Sequence, residues 1–196
     1  MTTTFETLTE PDQQRLLALA RRSIEHGLAT GRPVEVEPET WNPRLWSPAA
    51  TFVTLHRRGK LRGCIGTVKP IRPLPRDVAH NAFSAAFHDP RFMPLAPHEL
   101  ADLAIDISIL GDPEPLTVVD EPDLLRQLEP GVDGLILQAD GHQGLFLPAV
   151  WESLPRPHDF VAQLKRKAGL PADAWSPTWR FYRFGVTSFG DSKASA

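Results

Sequence analysis

Prolines and glycines punctuate this chain from end to end, twenty of the first and thirteen of the second, and no linker gathers them. Each proline fixes its own φ and pushes the residue before it out of the helical region, and each glycine weakens a regular element from within. Such a chain builds many short elements. The segments between the breaks read as strands and helices in mixed order, with hairpins but no regular βαβ alternation. That order excludes a doubly wound parallel sheet and predicts an α+β fold, a mixed or antiparallel sheet with flanking helices.

The first helix starts at Thr9, Pro11 and Asp12, continues through Leu16, Leu19, Ala20 and Ile24 at helical spacing, and is expected to stop at Gly27. The proline-rich stretch 31–48 carries Trp41 and Trp46, too apolar to leave in water, and reads as an ordered loop laid against the body. Residues 51–56 and 61–68 form a predicted hairpin, and Pro75 opens a helix that Asp89-Pro90 ends. Leu103, Ile105, Ile107 and Ile109 alternate with polar or small residues, the pattern of a half-buried strand. A short helix near 123–128, a second hairpin turning at Asp140-Gly141, a helix over 158–168 and a last strand over 179–189 complete the reading.

With 196 residues, the chain is long enough to bury a sizeable core as one domain, expected over 8–190 with flexible ends at 1–7 and 191–196. One cysteine rules out an internal disulfide and favours a reducing compartment, hence the cytoplasm. The first residues carry no basic and apolar signal pattern, and no apolar run approaches bilayer length, so no membrane role is expected. A formal charge of −3 gives no long-range attraction to nucleic acid, and the basic runs at 57–62 and 164–167 read as a solvated turn and a helix end.

The segment Leu61-Arg62-Gly63-Cys64-Ile65-Gly66-Thr67 is the most unusual. Glycines at Gly63 and Gly66 inside a strand imply that something approaches the backbone closely, a ligand or another part of the chain. Alternation places Arg62, Cys64 and Gly66 on one face, where a guanidinium would favour the thiolate; a small buried cysteine is the plainer reading. A nucleophilic thiol needs a base, and His56 is the nearest in sequence, with His80 and His88 as alternatives. A two-residue turn at Arg58-Gly59 would pair Val53 with Cys64 and turn His56 away. A three-residue loop would pair Phe52 with Cys64 and bring His56 to the same face. Sequence leaves both registers open. No histidine spacing suits a metal, no second cysteine offers a zinc site, and no glycine loop suits a phosphate, so no metal or cofactor is expected.

Leu61 to Gly66 also resembles the hallmark of the AMMECR family, called AmmeMemoRadiSam system protein A in prokaryotes. Further matches follow in order: AAFHDPRF (85–92), DLAIDISIL (102–110), GVDGLIL (131–137), GLFLPAV (144–150) and KAGLPADAW (167–175). The resemblance covers roughly 8–190. It implies an α+β fold with a larger and a smaller subdomain, an intracellular protein, and two companions, a Memo-like protein and a radical-SAM protein. The chain has no radical-SAM cysteine triad of its own, and the family brings no established activity. Residue by residue, Arg62, Gly63, Cys64, Gly66 and Thr67 carry over first, with Asp89 and Arg91 of HDPRF second. The resemblance also implies that the cysteine segment lies at or near a cleft, and Asp106, on the polar side of its strand, is a further candidate to line it. Three functions follow: a partner or adaptor domain presenting a glycine-lined cleft around Cys64, an enzyme using Cys64 as nucleophile or redox thiol, and, third, a nucleic-acid-associated regulator. The oligomeric state is not legible.

Overall fold

The computed structural model describes residues 8–139 and 141–191. They are all of α+β character and form two compact units, the first running to Leu110 and resuming at Thr187, the second comprising Gly111–Val186. The expected flexible ends, save Asp191, lie outside the described residues, as does Asp140 of the second predicted turn.

The first unit opens with α1 (Glu10–Thr30), whose Thr9 and Asp12 cap each other across the first turn. The helix runs past Gly27 and stops at Gly31, where the backbone turns left-handed with φ 72°. Gly27 fails as a stop because it keeps helical geometry and serves packing instead. An added Cβ there would run into the Phe83 and Phe87 rings, so glycine lets α1 cross close to α2 (Leu74–Phe87). The stretch between them does pack as expected, with Trp41 buried and two short 3-10 turns, Pro38–Thr40 and Pro43–Trp46.

A two-residue pair, β1 (Pro48–Ala49) with β4 (Arg72–Pro73), leads into a four-stranded sheet. Its order is β10-β5-β2-β3, from β2 (Thr51–Arg57), β3 (Lys60–Gly66), β5 (Leu103–Leu110) and β10 (Val186–Gly190). Strand β2 runs antiparallel to β3 on one side and to β5 on the other. Val53, Leu55, Ile105 and Ile107 point inward and share a core with Leu16 and Val78 of the helices. Each such side chain stabilises the fold by about 1.5–3 kcal/mol on burial. The opposite face carries Phe52, Thr54, His56, Asp106 and Ser108, all half-buried.

The second unit holds its own antiparallel sheet, in the order β6-β9-β7-β8, built from β6 (Glu114–Leu116), β7 (Gly134–Ala139), β8 (His142–Phe146) and β9 (Arg180–Phe184). Helices α3 (Glu121–Gln127) and α4 (Pro157–Lys167) complete it. Phe160 stacks on Trp151 with ring centroids 3.7 Å apart, at the heart of a second core. Lys165 is fully buried there, its ammonium held by Glu121 at 2.6 Å and the Ala172 carbonyl at 3.2 Å. The predicted last strand over 179–189 is in fact two strands in two sheets, broken at Gly185. Buried Phe181, Phe184 and Phe189 do not keep strict alternation, but a lone Gly185 is a weak break signal, so the sequence does not mark the change of sheet.

The second unit is an insertion between β5 and β10, which are neighbours in the first sheet. Unfolding the inserted part would pull on both strands. We therefore expect one cooperative transition, with far-ultraviolet circular dichroism and tryptophan fluorescence giving the same urea midpoint. A stable pair of fragments cut between residues 111 and 123, or two midpoints, would show two independently folding domains.

Candidate functional site

The site begins with a turn and a bulge. Arg58 and Gly59 both adopt positive φ, 51° and 72°, the geometry of a two-residue hairpin turn. Arg57 accordingly faces Lys60 and His56 faces Leu61, but Leu55 then faces Gly63, leaving Arg62 as an extra residue. The bulge shifts the rest of the strand by one, so Cys64 faces Thr54, not Val53 or Phe52. Neither simple register occurs. The consequence is chemical: Thr54 also faces Asp106 on β5, so Cys64, Thr54 and Asp106 form one row across three strands. His56 lies two residues along the same strand and shares that face.

In this row the Thr54 hydroxyl donates to Cys64 Sγ at 3.3 Å. His56 Nδ1 lies 3.0 Å from Asp106 Oδ2 and donates to it, because a carboxylate can only accept. In the neutral ring that tautomer leaves Nε2 as the acceptor. The other Asp106 oxygen is buried without a hydrogen-bond partner, close against Gly190. Cys64 itself is half-buried. Thr54 carries no signal in the sequence, since its role depends on the shifted register.

Strand β3 is the sheet edge, and its outward backbone groups at Cys64 are satisfied by side chains. Cys64 N–H donates to Asp89 Oδ2 at 2.8 Å, and Arg91 Nη2 donates to the Cys64 carbonyl at 3.4 Å. Asp89 and Arg91 bind each other at 2.7 Å. Together they stand in for a neighbouring strand at Cys64 and block pairing there. Asp89 is almost fully buried, and the Arg91 guanidinium, helped by the Cys64 amide, holds its carboxyl well below the usual carboxylate range against the opposing effect of burial.

Arg62 is engaged elsewhere than at the thiol. Its guanidinium grips Glu99 through two bonds of 2.9 Å and the Met93 carbonyl at 2.9 Å, while Nη1 is buried with no hydrogen-bond partner. Glu99 also accepts from Arg57 at 3.1 Å. The Arg62 bonds, and then the Ala96 amide and the other charges, pull the Glu99 carboxyl down to about 2. Bulging aims Arg62 at this carboxylate, a partner 37 residues away that sequence spacing does not disclose.

Thr67 is likewise spent within the chain. Its hydroxyl bonds Asp77 at 3.0 Å and Asn81 at 3.2 Å, in a buried network that also takes in Thr51 and Arg72. The two glycines tell the same story. A Cβ on Gly63 would overlap the Ala85 carbonyl oxygen of α2, and one on Gly66 would fall on the Phe52 ring. The close approach the sequence called for is made by the chain's own helix and its own cross-strand aromatic. The glycine-lined cleft expected there is filled from within.

Thus Cys64, Asp89, Arg91, His56 and Asp106 belong to one neighbourhood, while Arg62 and Thr67 serve adjoining networks. Among the described residues no group of three or more His, Cys, Asp or Glu side chains is placed to hold a metal, and no helix is long and apolar enough to cross a membrane.

The family model AMMECR1 matches residues 17–189. A protein of Thermococcus gammatolerans is 40% identical over 185 residues, covering 89% of this chain and 87% of its own. One of Methanothermobacter thermautotrophicus is 36% identical over 194 residues, covering 94% and 97%. Among solved structures, the uncharacterized protein PH0010 from Pyrococcus horikoshii superposes with a TM-score of 0.82 at 36% identity, over 90% of this chain and 89% of that one.

Proposed function

Because this chain belongs to the AMMECR1 family, we propose that it acts as a partner domain, offering a rigid surface around Cys64 to the Memo-like and radical-SAM companions implied by the family resemblance. One observation carries this reading: the chain's own residues engage both backbone groups of Cys64, the space beside Gly63 and Gly66, and the side chains of Arg62 and Thr67. A ligand cleft would leave such groups free to meet a ligand. A pre-organised surface loses little entropy on docking, which suits a partner. The cytoplasm, a reducing compartment, suits its free thiol.

A second reading has specific support in the row Cys64–Thr54–Asp106 with His56 beside it. There Cys64 is a nucleophile or redox thiol, the Thr54 hydroxyl stabilises its thiolate, and His56, oriented by Asp106, is the base. The deciding variant is Cys64→Ser, which keeps the shape and removes the thiol. The glycine variants do not discriminate, because their damage is to the fold.

In a deletion strain complemented with Cys64→Ser, we expect growth and co-purification with the Memo-like protein to match wild type, with an unchanged melting temperature. Arg91→Glu, at a half-exposed side chain beside Cys64, is expected to weaken co-purification. An inactive Cys64→Ser with intact folding and intact partner binding would overturn the partner reading and establish the thiol.

A further inference from the structure

Away from the Cys64 face, within the same unit, the extended segment 33–37 and helix α2 border an open pocket of about 270 Å³. Three basic side chains line it, Arg72 just ahead of α2, then Arg76 and His80 one turn apart on it. Their four-residue spacing puts them on a single stripe. The opposite wall is anchored, since Val34 N–H donates to Ser23 and Arg76 Nε donates to the Val36 carbonyl at 3.1 Å. Both guanidinium groups are held in place, Arg76 over the Trp46 ring at 5.1 Å and Arg72 on buried Asp77 at 3.1 Å.

Glu35 and Glu37 also line the pocket, and both are exposed to water. Burial is the largest influence lowering the His80 pKa, and Arg72 follows; Asp77 opposes them with less effect, and His88 adds to them. Solvent screens the two rim carboxylates and exposed Arg76 alike, while Arg72 and His80 are half-buried.

We propose that this pocket binds a small oxyanion, the phosphate or carboxylate group of a small molecule, held between Arg72 and Arg76 with His80 as a third donor. Guanidinium forks match both head groups in geometry, and fixing them beforehand lowers the entropy lost on binding. An anion here favours protonated His80.

His80 is the reporter. Its imidazole C–H resonance is followed by NMR across pH in chloride, in inorganic phosphate and in succinate, at matched ionic strength. In phosphate, succinate or both, the midpoint is expected to rise by about half a unit or more relative to chloride; which salt acts identifies the head group. Arg76→Gln should abolish the rise and Arg76→Lys should keep part of it. An unchanged midpoint in both salts would overturn the proposal, as would a rise that survives in Arg76→Gln. If Arg76→Gln does not fold, the wild-type comparison between salts decides alone.

Discussion

Gly63→Val is expected to lower stability by about 3 kcal/mol. At this position β3 lies directly on α2, and the new side chain would have to occupy the volume of the Ala85 carbonyl oxygen. A backbone atom of a helix cannot swing aside as a flexible side chain can, so either the strand lifts or the helix shifts. Both choices strip buried contacts from Val78 and Ala82. Gly63→Ala should show most of the loss, since the first carbon already overlaps. The control is Gly185→Ala, where an added methyl meets open space and φ is not left-handed. Urea denaturation of the three variants gives the comparison. A Gly63→Ala protein as stable as Gly185→Ala would show that helix and strand do not approach this closely.

Asp89→Ala is expected to cost about 2 kcal/mol and to change how the protein responds to acid. The substitution leaves the Cys64 N–H without its acceptor and Arg91 without its partner. A broken buried pair commonly costs about 3–5 kcal/mol, but the Arg91 side chain is 54% exposed and regains water, so the lower figure applies. Asp89→Asn keeps one acceptor oxygen and should fall between. The sign with pH follows from the depressed pKa. The folded protein holds Asp89 ionised well below the value of 3.8 expected when unfolded. Its contribution is complete above that value and is lost as pH falls through the folded one. Glu99 behaves alike, lowered from 4.5 to about 2 by Arg62, so the wild type should lose stability steadily between about pH 4.5 and pH 2. Asp89→Asn should lose less over this window, because one carboxyl with a lowered pKa is removed while Glu99, Asp12 and Asp159 keep theirs. Parallel acid curves for wild type and Asp89→Asn would show that Asp89 contributes no linked stability.

Much of this molecule is fixed by local sequence. Reciprocal capping by Thr9 and Asp12 starts α1, Pro75 starts α2, and the alternation of Leu103, Ile105, Ile107 and Ile109 makes β5, because each signal acts within a turn or a strand. The same locality makes Gly63 and Gly66 visible as places where the backbone must be approached, but not by what. Three things waited on tertiary structure. The approach comes from Ala85 and Phe52, which lie on other elements. The bulge at Arg62 arises where a two-residue turn meets strands whose buried faces must align. It alone sets Cys64 opposite Thr54, and so brings His56 onto the cysteine face. Finally, Arg62 with Glu99, and Asp89 with Cys64, join residues far apart in the chain. Sequence showed that these groups were polar and would need partners. Only the folded chain, by bringing helix end and sheet edge together, chose which ones.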